Sequence, residues 1–145
     1  LINDDLRILA GGYDRVIVDL GAGVEKPVRL FASGAAKLMM VCTDEPTSLT
    51  DAYAFIKMIC MEQQQPDISI VVNSANSYRE GERTYTTLLK ACQGFLRISP
   101  PLAGVIRRDT RVRDAIRNQT SILRRHPNTE AAEDVLAIAQ RLTKE

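Results

Sequence analysis

The hydrophobic pattern of this chain switches repeatedly between unbroken apolar runs and stripes of helical period. Val16 to Leu20 is a continuous run, which predicts a strand covered on both faces. Lys37-Leu38-Met39-Met40-Val41-Cys42-Thr43 predicts a second buried strand, Ile68-Ser69-Ile70-Val71-Val72 a third that ends at Asn73, and Leu102 to Ile106 a fourth. Helical spacing fills the intervals. Asp4 to Ala10 reads as a helix end stopped by Gly11-Gly12, and Pro27 to Ala36 as a short helix. Asp44-Glu45-Pro46 breaks the second strand, and Thr47 or Ser48 is expected to cap the helix that follows. Its stripe is Leu49, Ala52, Tyr53, Ile56, Ile59 and Cys60. A helix from about Arg79 to Phe95 buries Tyr85, Leu88, Leu89 and Cys92, and short helical material is expected at Val112 to Asn118. The last helix runs from roughly Glu130 to Leu142, with Thr129 as N-cap and Ala131, Val135, Ile138 and Leu142 facing inward.

Strand and helix in alternation specify an α/β fold of three layers, a mostly parallel sheet with helices on both faces and right-handed crossovers. The 145 residues suit one domain with a core of its own, so 1–145 is expected to be a single α/β domain. No repeat, low-complexity tract or linker interrupts the pattern. Leu1, in place of Met, is what a processed product or a piece of a longer chain would show.

Composition narrows the chemistry by exclusion. A net charge of +1 gives the whole molecule no bias toward nucleic acid or membrane. Cys42, Cys60 and Cys92 lie in apolar runs without C-x-x-C spacing, as reduced, packed thiols of a cytosolic protein do. His126 is the sole histidine, which excludes multi-histidine metal sites, and no serine sits in a nucleophile-elbow context. No signal peptide or membrane-spanning run is visible.

The polar residues that remain collect at strand ends. These ends read Asp19-Leu20-Gly21-Ala22-Gly23, Thr43-Asp44-Glu45, Val72-Asn73-Ser74-Ala75-Asn76 and Ile106-Arg107-Arg108-Asp109. In an open parallel sheet the carboxyl ends of strands share one edge, which is where ligands bind. Four ordinary capped loops, with Asp19 a turn residue, are the simpler alternative.

The run Glu45-Pro46-Thr47-Ser48-Leu49-Thr50-Asp51-Ala52-Tyr53, the Asp-x-Gly-Ala-Gly turn, Asn73, the Phe95-Leu96 helix end and Gly104-x-Ile106-x-x-Asp109 carry a resemblance. From Tyr13 to about Leu142 the chain resembles the MinD/ParA family of deviant P-loop ATPases, and within it the flagellar-number regulator branch, FlhG or FleN. The resemblance implies an ATP/ADP-dependent switch that regulates flagellar number or cell position as an ADP monomer and an ATP dimer. It implies that Asp19 is the acid that positions Mg2+ through water and that Gly23 is the switch glycine sensing the γ-phosphate. Asn73 would read the adenine edge, and Asp109 with Arg108 would belong to the loop closing over the base, where Arg107-Arg108-Asp109-Thr110 replaces the family's proline-flanked segment.

One family element is absent from the sequence. No Gly-Lys pair occurs, so G-x-x-x-x-G-K-[ST] cannot be formed, and the chain looks like the second half of such an ATPase, inactive by itself. The resemblance places a P-loop strand between the Asp19 strand and the one beginning at Lys37. The gap is expected to be closed by local rearrangement, a second copy in a homo-oligomer, or a missing N-terminal half.

Seven arginines, Arg107, Arg108, Arg111, Arg113, Arg117, Arg124 and Arg125, face only Asp109 and Asp114 between Gly104 and His126, a local excess of +5. This surface could take an acidic protein partner, lipid headgroups or DNA. The alternative is a solvated surface partly paired with Glu130, Glu133 and Asp134. The expected location is cytoplasmic, with peripheral membrane contact if the arginines meet lipid. A protein-interaction module without enzymatic activity and a ParA-type DNA segregation protein are the competing functional classes.

Overall fold

A computed structural model describes residues 8–144 except 9, 22 and 24. Three strands, β1 (Leu38–Cys42), β2 (Ile68–Ala75) and β3 (Leu102–Arg107), form one sheet in the order β1-β2-β3, parallel throughout. Leu38 pairs with Ile68 and Cys42 with Val72, while β2 meets β3 with Val72 opposite Val105 and Ala75 opposite Arg107. The helices are α1 (Lys26–Gly34), α2 (Pro46–Glu62), α3 (Tyr78–Ala91), α4 (Arg111–Arg117), α5 (Ile122–Arg125) and α6 (Glu130–Lys144).

Each crossover buries the stripe its sequence displays. Ala52, Ile56 and Ile59 of α2 pack with Ile68, Ile70 and Val72 of β2, Val105 of β3, and Leu88 and Cys92 at the end of α3. Ala32 of α1 joins the same core, and Arg29 pairs with Glu62 across α1 and α2. The opposite face is covered by α6, whose Ile138 lies against Gly104 so closely that a Cβ there would stand 2.8 Å from its Cδ1. Gly81 of α3 meets Val105 in the same manner on the first face, with Cγ2 at 2.8 Å from an added Cβ. Helices therefore lie on both faces of a parallel sheet, as expected.

The predicted strand at Val16 to Leu20 is corrected. Residues 15–20 form no regular structure, and Val16, Ile17 and Val18 are 52, 93 and 49% exposed. An apolar run becomes a strand only where a neighbour accepts its backbone hydrogen bonds. Among the described residues no strand stands beside it to do so. Instead the Arg15 guanidinium donates to the Leu142 carbonyl and Leu20 packs at the margin of the core. Among the described residues β1 is consequently an edge, with Met39 and Val41, alternate residues of one face, 40 and 53% exposed. Among the described residues no strand stands on the far side of β1, so no slot lies between two strands there.

Three smaller differences are local. Glu45, not Thr47 or Ser48, is the N-cap of α2, because Pro46 suits the first helical turn and the Ser48 hydroxyl accepts from the Thr43 N–H instead (2.9 Å). Helix α3 ends at Ala91 and continues as a π turn, Cys92–Leu96, closed by Arg97 at φ 57°. That turn leaves Phe95 80% exposed, with its ring edge-on to Tyr53. The helix expected at Asp4 to Ala10 lies mostly outside the described residues.

Candidate functional site

The carboxyl ends of β2 and β3 form the candidate site. β2 changes register between Val72 and Ala75, so Asn73 and Ser74 leave the ladder while the strand continues. The Asn73 Oδ1 accepts from the Ser74 N–H at 2.9 Å, and Ser74 takes a left-handed conformation, φ 58°. For a residue other than glycine this costs roughly 1 kcal/mol or more, and such strain collects at functional edges. The side-chain NH2 of Asn73 has no protein partner among the described residues. It presents two donors to solvent.

Next to it runs the end of β3. The Arg108 N–H donates to the Ala75 carbonyl at 2.8 Å, which brings the Arg108-Asp109 turn beside the Asn73 bulge. Asp109 is folded back on its own loop: its Oδ1 accepts from the Arg111 N–H and Nε, both 2.9 Å, and its Oδ2 from Nη2 at 2.8 Å. The Arg111 guanidinium and N–H hold the Asp109 carboxyl below its usual range. The Arg108 side chain is exposed and has no carboxylate within pairing distance among the described residues.

Arg107 is committed elsewhere. Its guanidinium grips both Asp134 oxygens, Nε at 2.9 Å and Nη2 at 2.8 Å, and its Nη1 donates to Glu130 at 2.6 Å. Glu133 stands 4.0 Å away. These carboxylates, Asp134 foremost, raise the Arg107 pKa further. Arg125 and His126 both meet the Asp114 carboxylate, His126 Nε2 at 2.7 Å, and Arg125 before His126 pulls its pKa down to about 2. Of the seven arginines, Arg107, Arg111 and Arg125 are internally paired. Arg108, Arg113, Arg117 and Arg124 remain as exposed cations with no carboxylate partner among the described residues.

The structure thus brings Asn73, Arg108 and Asp109 together on adjacent strand ends. It does not bring Asp19 and Gly23 to them: Asp19 is exposed on the extended segment, and Gly23, at φ 127°, has open space around it. Tested against an adenine nucleotide, these residues fit in part. A purine ring acceptor suits the free Asn73 donors. Among the described residues no three His, Cys, Asp or Glu side chains converge, so the magnesium role of Asp19 rests on the resemblance alone. The sequence reading missed the left-handed Ser74 and the Asp114 cluster, neither of which has a periodic signature.

No family model matches the chain. It is 32% identical over 134 residues to the antiactivator FleN of Pseudomonas aeruginosa, 92% of this chain and 48% of that protein. It is 30% identical over 80 residues to the flagellum site-determining protein YlxH of Helicobacter pylori, 55% of this chain and 26% of that one. Its fold matches the septum site-determining protein MinD complexed with Mg-ADP from Pyrococcus horikoshii OT3, with a TM-score of 0.76 and 19% identity over 97% of this chain and 55% of that chain. The chain belongs to the MinD/ParA family. It spans about half the length of FleN, so the MinD/ParA fold here is incomplete, an α/β P-loop architecture with three of its parallel strands. Among the described residues no helix is long and apolar enough to cross a membrane.

Proposed function

We propose that this chain is the C-terminal portion of a nucleotide-dependent switch protein of the MinD/FlhG type, which regulates flagellar number or placement. The observation that carries the proposal is the Asn73 carboxamide, lifted out of the β2 ladder with its NH2 free beside the Arg108-Asp109 turn. The matches to FleN and YlxH and the MinD fold support it. In this reading Asn73 contacts adenine of ATP or ADP, with Arg108 at the rim of the base site and Asp109 holding the loop through Arg111. Asp19 and Gly23 serve Mg2+ and the γ-phosphate only when the segment from Arg15 to Gly23 is returned to the sheet by a strand bearing the P-loop. By itself the chain, which has no Gly-Lys pair, binds the base weakly and does not turn over ATP.

Calorimetric titration with Mg-ADP, Mg-ATP and Mg-GDP tests this, with Asn73→Ala alongside. Saturable adenine-nucleotide binding, weaker for GDP and lost in the variant, is the expected result. Equal binding of ADP and GDP, or binding indifferent to Asn73→Ala, removes the base-reading role. No binding at millimolar nucleotide leaves a protein-interaction module as the better description.

A further inference from the structure

A densely hydrogen-bonded polar cluster lies next to the candidate site, not in it. Asp134 projects from α6 with a side chain 9% exposed, and both of its oxygens are spent on one residue, Arg107. Three donors reach it: Nε at 2.9 Å, Nη2 at 2.8 Å and the backbone N–H of Arg107 at 2.9 Å. The backbone contact is the informative one. Successive residues of a parallel strand direct their N–H groups to opposite sides, and the Arg108 N–H points to Ala75 of β2. The Arg107 N–H therefore points off the outer edge of β3, where no strand pairs with it among the described residues. Asp134 occupies that place and adds a bidentate grip on the same residue's side chain. Glu130, one helical turn earlier, takes the remaining guanidinium nitrogen.

The end of β3 is thus held from both sides, by the Ala75 carbonyl and by Asp134, at the residue before the turn that stands beside Asn73. We propose that Asp134 is a positioning residue: through Arg107 it fixes the path of Arg108-Asp109 and hence the rim of the base site. The inference rests on the nucleotide reading above for its functional consequence, but not for its structural one. A charge-assisted, bidentate pair is geometrically demanding, so neither a neutral Asn at 134 nor a Lys at 107 reproduces it.

The test compares the full chain with Asp134→Asn, with Arg107→Lys as the second disrupting variant and Glu82→Gln, an exposed acid on α3 away from Arg107, as a matched charge removal. Amide hydrogen exchange by NMR is read at Arg107 and Arg108 and, as reference, at Val71 and Val72 in the middle of β2. Asp134→Asn should accelerate exchange at Arg107 and Arg108 by about 10- to 100-fold, the loss of one or more hydrogen bonds to a charged group, with Val71 and Val72 unchanged. Titration with Mg-ADP and Mg-GDP should show the preference for ADP shrinking in the same variant, and Glu82→Gln should match the parent in both assays. Unchanged protection at Arg107 and Arg108 overturns the proposal. Equal acceleration at Val71 and Val72 also overturns it, since Asp134 would then serve global stability alone. If Asp134→Asn does not fold, Arg107→Lys decides by the same readings. A parent chain that binds neither nucleotide discards the nucleotide reading, while the exchange pattern still decides whether Asp134 sets the strand end.

Discussion

Replacing Gly81 with alanine sets two effects of known size against each other. Gly81 lies inside α3, where exchanging glycine for alanine favours the helix by about 1 kcal/mol. Against this, the added Cβ would stand 2.8 Å from Val105 Cγ2 and 3.1 Å from its Cβ, with Cγ1 closer still, well inside the 3.5–4.0 Å of a comfortable carbon contact. Val105 is 1% exposed and β-branched, so it has little room and few rotamers with which to yield. Overpacking costs typically 1–3 kcal/mol, and contacts this short against an unyielding neighbour put it in the upper half, about 2–3 kcal/mol, so packing should win by about 1–2 kcal/mol. For a chain of this length that lowers the melting temperature by roughly 3–8 °C. The assay is urea unfolding followed by circular dichroism, with Val105→Ala and the double variant completing a cycle. Val105→Ala alone should cost about 1–3 kcal/mol through its cavity, and the double variant should be about 1–2 kcal/mol less damaged than the sum, because each change relieves the other. Additivity within about 0.5 kcal/mol, or a Gly81→Ala chain more stable than its parent, would refute the packing of α3 on β3 described above.

Two further outcomes follow from titration. The Asp114 carboxyl is depressed to about 2 from an ordinary 3.8, so its pairing stabilises the fold above the ordinary value and is lost as pH falls through the folded one. Asp114→Asn should therefore lower the urea midpoint at pH 7, with the gap to the parent closing between about pH 5 and pH 2; a gap that persists at pH 2 would contradict the pairing with Arg125 and His126. Burial pushes the Cys42 and Cys92 thiols up to about 11, whereas Cys60 is only partly buried and less shifted. Iodoacetamide at pH 8 should label Cys60 first, and mass spectrometry should find Cys42 and Cys92 modified only in urea; early labelling of Cys42 would place β1 outside the core.

The parts of the fold that the sequence displays are those whose order is local. The stripe of α2 and the Thr129 cap of α6, whose Oγ1 accepts from the Ala132 N–H at 3.2 Å, depend on residues a turn apart, and both were readable. The pairing of Arg107 with the acidic start of α6 was open as an alternative, since Glu130, Glu133 and Asp134 form the first acidic cluster after the arginine run. The run Val16 to Leu20 misled because hydrophobic pattern reports a preference for burial, not the presence of a neighbour to bury against. Asn73 was legible by its place after an apolar run, but not the bulge that frees it, which depends on where Ala75 meets Arg107. The Asp114 cluster joins residues 11 and 12 positions apart across the turn between α4 and α5, a spacing that matches no helical or strand period.

Strand order in space repeats strand order in the chain, and this has a consequence for biosynthesis. Each pairing closes a loop of about thirty residues around a single crossover, so β2 can dock on β1, and β3 on β2, as each leaves the ribosome. Helix α6 is made last. Until Asp134 emerges, the Arg107 N–H lacks the carboxylate that accepts from it in the finished fold, and the end of β3 is tied to the sheet through Ala75 alone among the bonds described. A nascent chain therefore acquires its sheet early and its candidate binding edge late, and a truncation before Asp134 would yield the sheet without the fixed edge.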